Sequence, residues 1–209
     1  LQDFASQMVG AICAPQPGEN WWDACAGEGG KTLHLADQMD NRGVVWATDR
    51  AAWRLDRLRL RANRAELYNV RRSTWDGTGA PPIQGRLHGV LLDAPCTGVG
   101  TWQRNPHARW STRPEDVTEL AALQLRLLRA TASRLGPGGR LVYSVCTISR
   151  QEGADRIAAL RAAHPAFRPD PVRASDAVWQ DWRVGDHLEI LPHRHGTDGF
   201  FISRLRREA

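Results

Sequence analysis

The chain has 209 residues, a formal net charge of +5 and a pI near 9.6. The length suggests one domain with a single sizeable core. Its four scattered cysteines form no C-x-x-C pair, which disfavours a zinc cluster or a disulfide framework and suggests reduced thiols in the cytoplasm. No apolar run approaches the ~18 residues of a membrane span, so we expect no membrane partner. The basic excess suits a polyanionic partner, although solvated arginines on a helix surface would produce the same excess.

Short apolar runs alternate with helical patterns along the chain. Strands are predicted at residues 20–24, 43–48, 67–70, 87–92 and 139–145. The chain opens in a helical pattern, and further helices are predicted at residues 31–39, 51–64 and 114–135, the last stopped by a glycine-rich run at 136–139. This alternation predicts a mostly parallel, doubly wound α/β sheet. Two last strands at 188–191 and 199–205, with no helix between them, predict an antiparallel hairpin at one edge.

The turn after the first predicted strand is rich in glycine and leads into a helix. A Walker phosphate loop is disfavoured because the position five residues before Gly30 holds Cys25. A dinucleotide fingerprint starting at Gly27 fails at Thr32. Asp49 follows the next strand, where a carboxylate that binds a ribose belongs. The combination indicates an adenosine cofactor without a pyrophosphate.

We therefore predict that this turn and the neighbouring strand ends bind the cofactor. Lys31 lies in the first helical turn, where the helix dipole disfavours a cation, so an anionic group is expected beside it. Asp76, in the loop after the third predicted strand, either binds the adenine amino group or stabilises a turn. The predicted cofactor-binding residues are Cys25, Ala26, Gly27, Glu28, Gly29, Gly30, Lys31, Asp49, Arg50, Asp76 and Asp93.

The fourth and fifth predicted strands each lead to a cysteine. Cys96 lies three residues after Asp93, and Cys146 directly follows the fifth strand. Because parallel strands end at the same edge of a sheet, both thiols are expected at one rim. Either cysteine alone is explained as well by a small buried hydrophobic residue. Two cysteines at matching positions favour a chemical role.

Two thiols and one acid suit methylation of carbon 5 of a cytosine. This carbon is too electron-poor to attack a methyl sulfonium until a thiolate adds to carbon 6. Asp93 is placed to hydrogen-bond or protonate ring nitrogen 3, and it would have to carry a proton in order to donate. Cys96 is placed to assist loss of the carbon 5 proton and elimination of the thiol.

The two loops resemble the paired signatures of the Nol/Nop/Sun (RsmB-like) RNA cytosine-5 methyltransferases. The matching residues are Asp93 to Gly100, Arg104 to Pro106 and Tyr143 to Thr147. The resemblance extends to Gln2, Asp3, Ser6 and Gln7 near the start, to Asp23 to Thr32 in the glycine turn, which resembles the family's cofactor loop, and to Asp198 to Phe201 near the end. The resemblance implies a class I methyltransferase Rossmann-like fold over residues 1–209, with S-adenosylmethionine as cofactor. It further implies Cys146 as the nucleophile and Cys96 as the release cysteine, so that the expected catalytic residues are Cys146, Cys96, Asp93 and Lys31.

The same resemblance implies an RNA substrate, with ribosomal RNA preferred over transfer RNA. DNA cytosine methyltransferases carry their nucleophile in the Pro-Cys loop, so a cysteine in both loops favours RNA. We also expect an RNA-binding segment before Leu1 to contribute to the choice of target. The chain departs from the family pattern in two places. In the cofactor loop, Gly27 and Glu28 replace the usual alanine and proline, and Glu28 adds a carboxylate; after the second cysteine loop, Gly153 replaces the usual asparagine.

Aromatic and basic residues follow the first cysteine loop. An enzyme that modifies a base must hold it outside its stack, which aromatic and arginine side chains can do. The candidate RNA contacts are Trp102, Arg104, His107, Arg109 and Trp110, of which the two tryptophans are explained equally well by packing. No metal is expected, because His193 and His195 lie in a charged turn.

Two other functions fit part of the pattern. A methyltransferase for a protein or a small molecule would act by proximity alone and need no thiol. A catalytically silent RNA-binding module of ribosome assembly would be supported by loss of a cysteine or of the glycine turn, and this chain keeps all of them.

Overall fold

The computed structural model describes residues 2–170 and 181–209. Nine described strands form one sheet in the order β3-β2-β1-β4-β5-β9-β8-β7, with β6 also pairing with β9. The first five strands are parallel, whereas β9 is antiparallel to β5 and to β8. The strands are β1 (Asn20–Asp23), β2 (Val44–Asp49), β3 (Val70–Thr74), β4 (Leu87–Asp93), β5 (Leu135–Val145), β6 (Phe167–Pro169), β7 (Arg183–Val184), β8 (His187–Ile190) and β9 (Phe200–Arg207). The predicted doubly wound sheet with antiparallel C-terminal strands is confirmed.

Helices cover both faces of this sheet. Successive residues of a strand point to opposite faces, and on β4 Leu91 packs with α1 and α2 while Leu92 packs with α5 and α6. A smaller cluster joins α3 to β2 through Leu55, Leu58 and Ala47. The helices are α1 (Phe4–Cys13), α2 (Gly30–Gln38), α3 (Ala52–Arg64), α4 (Ala108–Ser111), α5 (Pro114–Ala132), α6 (Ala154–Ala163) and α7 (Pro192–His195). None of the helices that the structure describes is both long and apolar enough to span a bilayer.

The predicted starts of the third strand and of the first helix are wrong. The third strand begins at Val70 instead of residue 67, because its outward side chains are polar and its pairing with β2 depends on the backbone. Leu67 instead closes the turn after α3, where its N–H donates to Ala62 O. The first helix begins at Phe4, after Asp3, whose carboxylate caps it by accepting from Ala5 N.

Two further corrections concern the second half. Helix α5 ends at Ala132, and Leu135 already pairs with Leu87 as part of β5, so the run at 136–139 is an irregularity within the strand. Leu135 continues the helical spacing of buried residues, which is why the sequence pattern extends too far. A one-turn helix, α7, lies between the last two long strands, beginning at Pro192 and closed by Gly196 in a left-handed conformation. Helix α6 and the short strands β6 and β7 were not predicted.

The strand register determines where the functional loops lie. Asp23 at the end of β1 pairs with Ala47 on β2 and Leu91 on β4, and Asp93 at the end of β4 pairs with Ser144 on β5. The loops that follow these four strands therefore meet at one edge, where open α/β sheets bind their ligands.

Candidate active site

A cleft of about 660 Å³ lies at the carboxyl ends of the parallel strands. It contains nearly all of the predicted cofactor-binding residues: Cys25, Ala26, Gly27, Glu28, Gly30, Lys31, Asp49, Arg50, Asp76 and Asp93 line it, together with Cys96. Its lining also includes residues outside the predicted cofactor-binding set, namely Gln2, Ser6, Arg54, Trp75, Leu123 and Arg126. These come from α1 and the residues just before it, from α3 and α5, and from the loop after β3, which only the folded chain brings together.

The glycine turn takes its shape from backbone conformation and from Asp49. Gly29 has a φ of +91°, and a Cβ there would lie 2.6 Å from Leu58 Cγ, so a glycine at this position allows α3 to pack closely against the turn. Gly29, although predicted to bind the cofactor, does not line the cleft. The buried Asp49 carboxylate accepts from Gly27 N at 3.0 Å and from Ala51 N at 2.9 Å. It thus joins the turn to the start of α3.

The two departures from the family pattern have structural explanations. Glu28 accepts hydrogen bonds from Arg57 at 3.0 Å and Arg61 at 2.7 Å, which tie the cofactor turn to the outer face of α3. Gly153 packs against Phe201, because a Cβ at this position would lie 2.8 Å from the Phe201 ring. Neither position displaces a predicted catalytic group.

Asp23 is a buried carboxylate that lines the cleft. Its Oδ2 accepts from Thr32 Oγ1 at 2.6 Å, and Oδ1 has no hydrogen-bond partner among the residues that the structure describes. Burial raises the pKa of Asp23 to about 7, an effect that the hydrogen bond from Thr32 partly offsets. Asp23 belongs to the turn that resembles the family's cofactor loop but is absent from the predicted cofactor-binding residues, although its place at the end of the first strand marks it.

Lys31 and Asp93 form an ion pair at the inner end of the cleft. Lys31 Nζ lies 2.6 Å from Asp93 Oδ2, and Ser144 Oγ donates to Oδ1 at 2.7 Å. Burial acts to lower the pKa of Lys31, but the Asp93 carboxylate more than compensates and the pKa is raised. Asp93 is the anionic group expected beside Lys31. Both of its oxygens accept hydrogen bonds in this structure, Oδ2 from Lys31 and Oδ1 from Ser144.

The two cysteines lie side by side, with 3.4 Å between Cys96 Sγ and Cys146 Sγ. The hydrogen bond between them lowers the pKa of Cys146, against the effect of burial, and Lys31 contributes in the same direction. The same bond, together with burial, raises the pKa of Cys96. The arrangement therefore favours a thiolate at Cys146 and a protonated thiol at Cys96, which donates to it.

The candidate RNA contacts divide into two groups. His107, Arg109 and Trp110 are exposed around α4, and the Arg109 guanidinium lies 5.8 Å from the centre of the Trp110 ring. Arg104 is held by Asp198, and Trp102 is half-buried. A depression lined by Cys96, Thr97, Ala108 and Thr112, among others, connects the first cysteine loop to α4.

The histidines of the C-terminal turn lie in and around α7. His195 Nδ1 accepts from Leu191 N at 2.8 Å, a bond within the turn itself. Over residues 2–170 and 181–209, no three His, Cys, Asp or Glu side chains are grouped so that they could hold a metal ion.

Comparison with known proteins gives consistent matches over nearly the whole chain. The chain is 38% identical over 212 residues to the probable ribosomal RNA small subunit methyltransferase B of Synechocystis sp. (strain PCC 6803), covering 99% of this chain and 47% of that protein. The crystal structure of PH0851 superposes with a TM-score of 0.92 at 36% identity, over 99% of this chain and 46% of that one. NSun6 from Pyrococcus horikoshii, solved with SFG, gives 0.87 at 27% identity, over 100% and 53%. The chain spans about half the length of the curated relatives it matches.

These structural matches confirm the class I methyltransferase fold that the resemblance implied. A family model described as 16S rRNA methyltransferase RsmB/F matches residues 11–206, which include the glycine turn and both cysteine loops. The chain therefore belongs to the 16S rRNA methyltransferase RsmB/F family.

Proposed function

We propose that residues 1–209 form the catalytic domain of an S-adenosylmethionine-dependent RNA cytosine-5 methyltransferase, with Cys146 as its nucleophile. The observation that carries this proposal is the pair of thiols 3.4 Å apart, adjacent to the ion pair of Lys31 and Asp93. Family membership supports ribosomal RNA as the substrate, in preference to transfer RNA. A ribosomal substrate agrees with the cytoplasmic location expected from the reduced thiols.

The cleft fits S-adenosylmethionine in size and chemistry. Its volume of about 660 Å³ lies within the ~300–1,000 Å³ typical of small-molecule sites. Asp49 and Asp76 are available to the adenosine part, while the unpartnered Oδ1 of Asp23 suits an ammonium group such as that of the methionine part. When bound, the cofactor supplies an electrophilic methyl group.

The chain's own residues account for the remaining steps. The Cys146 thiolate adds to carbon 6 of the cytosine, and Lys31 and Asp93 hold the polar edge of the ring, where negative charge develops and a proton is taken up. This addition makes carbon 5 nucleophilic toward the methyl group. After transfer, the carbon 5 proton passes to water in the cleft, and the polar edge of the ring gives back the proton that it took up on addition. The bond from Cys146 to carbon 6 then breaks, which regenerates the thiolate and the aromatic ring. Cys96, adjacent to Cys146, assists this release.

Labelled S-adenosylmethionine and ribosomal RNA fragments test the proposal, with transfer RNA as a parallel substrate. Cys146→Ala should abolish methylation, and Cys96→Ala should accumulate a protein–RNA adduct that survives a denaturing gel. Cys13→Ala is the matched control, since Cys13 is a fully buried thiol on α1 and should be dispensable. Methylation by Cys146→Ala would show that the nucleophile is misassigned. Methylation of transfer RNA alone would overturn the ribosomal assignment.

A further inference from the structure

Glu152 is a fully buried carboxylate that lies between the two cysteine loops. It precedes α6, and its side chain accepts four hydrogen bonds. Thr97 N and Gln124 Nε2 donate to Oε1 at 2.9 and 3.0 Å. Thr97 Oγ1 and Thr147 Oγ1 donate to Oε2 at 2.6 and 3.1 Å. All four donors are neutral groups.

These bonds connect Glu152 to both thiols through the residues next to them. Thr97 directly follows Cys96, and Thr147 directly follows Cys146. Gln124 on α5 adds a third connection, because its amide also donates to Pro95 O at 2.9 Å. The carboxylate therefore fixes the loops relative to each other and to α5.

The backbone of Glu152 is itself held in place. Tyr143 on β5 donates its buried hydroxyl to Glu152 O at 2.6 Å. The side chain thus extends from a fixed point in the core to both loops. Both oxygens of the Glu152 side chain are hydrogen-bonded, whereas the buried Gln124 Oε1 has no partner among the described residues. Hydrogen bonds in such a buried network favour one arrangement of the groups that they join.

We propose that Glu152 is a positioning residue that sets the distance and orientation of the Cys96 and Cys146 thiols. This inference rests on the proposed function, because it assigns a further role in that same site. We expect the shape of the side chain to determine the position of the thiols, since its two oxygens lie at a fixed distance from the backbone and bind groups from both loops. Because all four donors are neutral, a neutral acceptor of the same shape could also bind them.

Three variants separate geometry from charge. Glu152→Gln removes the charge but keeps the shape: its amide oxygen can accept from Thr97 N and Gln124, while its NH₂ donates to the two threonine hydroxyl oxygens. Glu152→Asp keeps the charge but is one methylene shorter and cannot reach both loops. Glu152→Ala removes all four hydrogen bonds of the side chain.

Two measurements are made on each variant. The first is the rate of RNA methylation at saturating cofactor, which should fall on the order of 10²-fold in Glu152→Asp and Glu152→Ala, with the cofactor KM unchanged. The second is the pH dependence of Cys146 alkylation by iodoacetamide, followed by mass spectrometry. Loss of the bond from Cys96 should shift this profile to higher pH in the same two variants. Glu152→Gln should retain most of the rate and the profile of the unmodified protein.

Leu87→Ala is the control for a general loss of stability. Leu87 is buried at the opposite end of β4 from Asp93, so a cavity there lowers the melting temperature without touching the loops. It should leave the alkylation profile in place. If both shortened variants fail to fold, Thr147→Val removes one of the four bonds to Glu152, together with the bonds of Thr147 Oγ1 to Thr97 Oγ1 and Ser149 N. It should shift the profile in the same direction by less.

The proposal is overturned if Glu152→Ala keeps the alkylation profile of the unmodified protein. It is equally overturned if Glu152→Gln shifts the profile while Glu152→Asp does not, because charge would then be the cause. Alkylation needs no RNA, so its outcome is independent of the proposed function. Absence of methylation by the unmodified protein would refute the function, whereas an unchanged profile in the variants would refute the positioning role.

Discussion

The most unusual single residue in the cleft is Asp23, whose carboxyl group is buried at the end of β1. One oxygen is bonded to Thr32, and the other has no partner in the described part of the chain. Desolvation disfavours the charged form of such a group, which is why the pKa rises to about 7. The folded protein thus keeps an unfavourable negative charge at the place where a cationic part of a ligand would neutralise it.

We predict that Asp23→Asn stabilises the protein in the absence of cofactor, and more so at high pH. The folded pKa of about 7 exceeds the ordinary aspartate pKa of 3.8, so the folded state holds the proton more tightly than the unfolded state. The stability of the unmodified protein therefore falls as pH rises from about 4 to 7, and the loss is complete above 7. Urea unfolding at pH 5 and pH 8 should show a gain for the variant that grows to a few kcal/mol.

Asp40→Asn is the control for this prediction. Asp40 is exposed, and its positive φ of 52° is one that asparagine tolerates, so the substitution should change stability little at either pH. A gain for Asp23→Asn that is equal at both pH values would show that the buried charge is not its cause. Addition of S-adenosylmethionine should reverse the order, because the variant lacks the carboxylate that the cofactor is proposed to neutralise.

At the scale of elements, the loop after β4 is joined to two distant parts of the chain. Gly100 N donates to Cys146 O at 3.1 Å, and Gly199 N donates to Gly100 O at 2.8 Å. Arg104 adds a two-pronged ion pair with the buried Asp198. A Cβ on Gly100 would lie 2.1 Å from Gly199 O, so the two backbone segments are too close together for any residue other than glycine at position 100. The first cysteine loop is thus fixed by the strand that carries Cys146 and by the start of β9.

We predict that Asp198→Ala loosens this loop more than it destabilises the fold. The Arg104 side chain is 61% exposed, so water can hydrate the cation that is left, and the cost should be about 1–2 kcal/mol. Hydrogen exchange followed by mass spectrometry should show faster exchange over residues 97–104 and unchanged exchange in β3. Glu208→Ala, which breaks the exposed pair with Arg168, is the control and should alter neither. Unchanged exchange in the loop would show that the ion pair does not hold it.

For the whole molecule, the net charge of +5 favours binding to a polyanion such as RNA and makes that binding depend on salt. Basic side chains that neutralise RNA phosphates release counterions, and binding then weakens as salt rises. The chain spans about half the length of its curated relatives, so a measurement on this chain reports only the contribution of these 209 residues.

We predict that the affinity of the 209-residue chain for single-stranded RNA falls roughly tenfold or more between about 50 and 200 mM salt. This is the slope expected if about three phosphates are neutralised. Fluorescence anisotropy with one labelled RNA measures it. Trp110→Ala should weaken binding at every salt concentration without changing the slope, since Trp110 is 82% exposed and carries no charge. Salt-independent binding would rule out phosphate contacts as the main source of affinity.

The alternation of the long parallel strands with helices α2, α3 and α5, and the two cysteine loops, follow from the sequence alone. Alternation of apolar runs with helical patterns identifies the parallel sheet, because buried strands and amphipathic helices differ in period. The sequence also places Asp93 and Cys96 at the end of one strand and Cys146 at the end of the next. It could not locate β3, whose outward residues are polar and whose pairing depends on the backbone. Nor could it show α7, which is too short for periodicity to reveal.

Only the tertiary structure decided how the functional groups are arranged. The distance between Cys96 and Cys146, the ion pair of Lys31 with Asp93 and the bonds of Glu152 depend on strand register and side-chain packing. Most of these contacts join residues that are 50 or more positions apart in the sequence. A local sequence pattern does not specify the distance in space between residues so far apart along the chain. The physical reason is that the spacing of apolar residues specifies which face of its helix or strand a side chain occupies. The distances between side chains of different elements are set by close packing in the core.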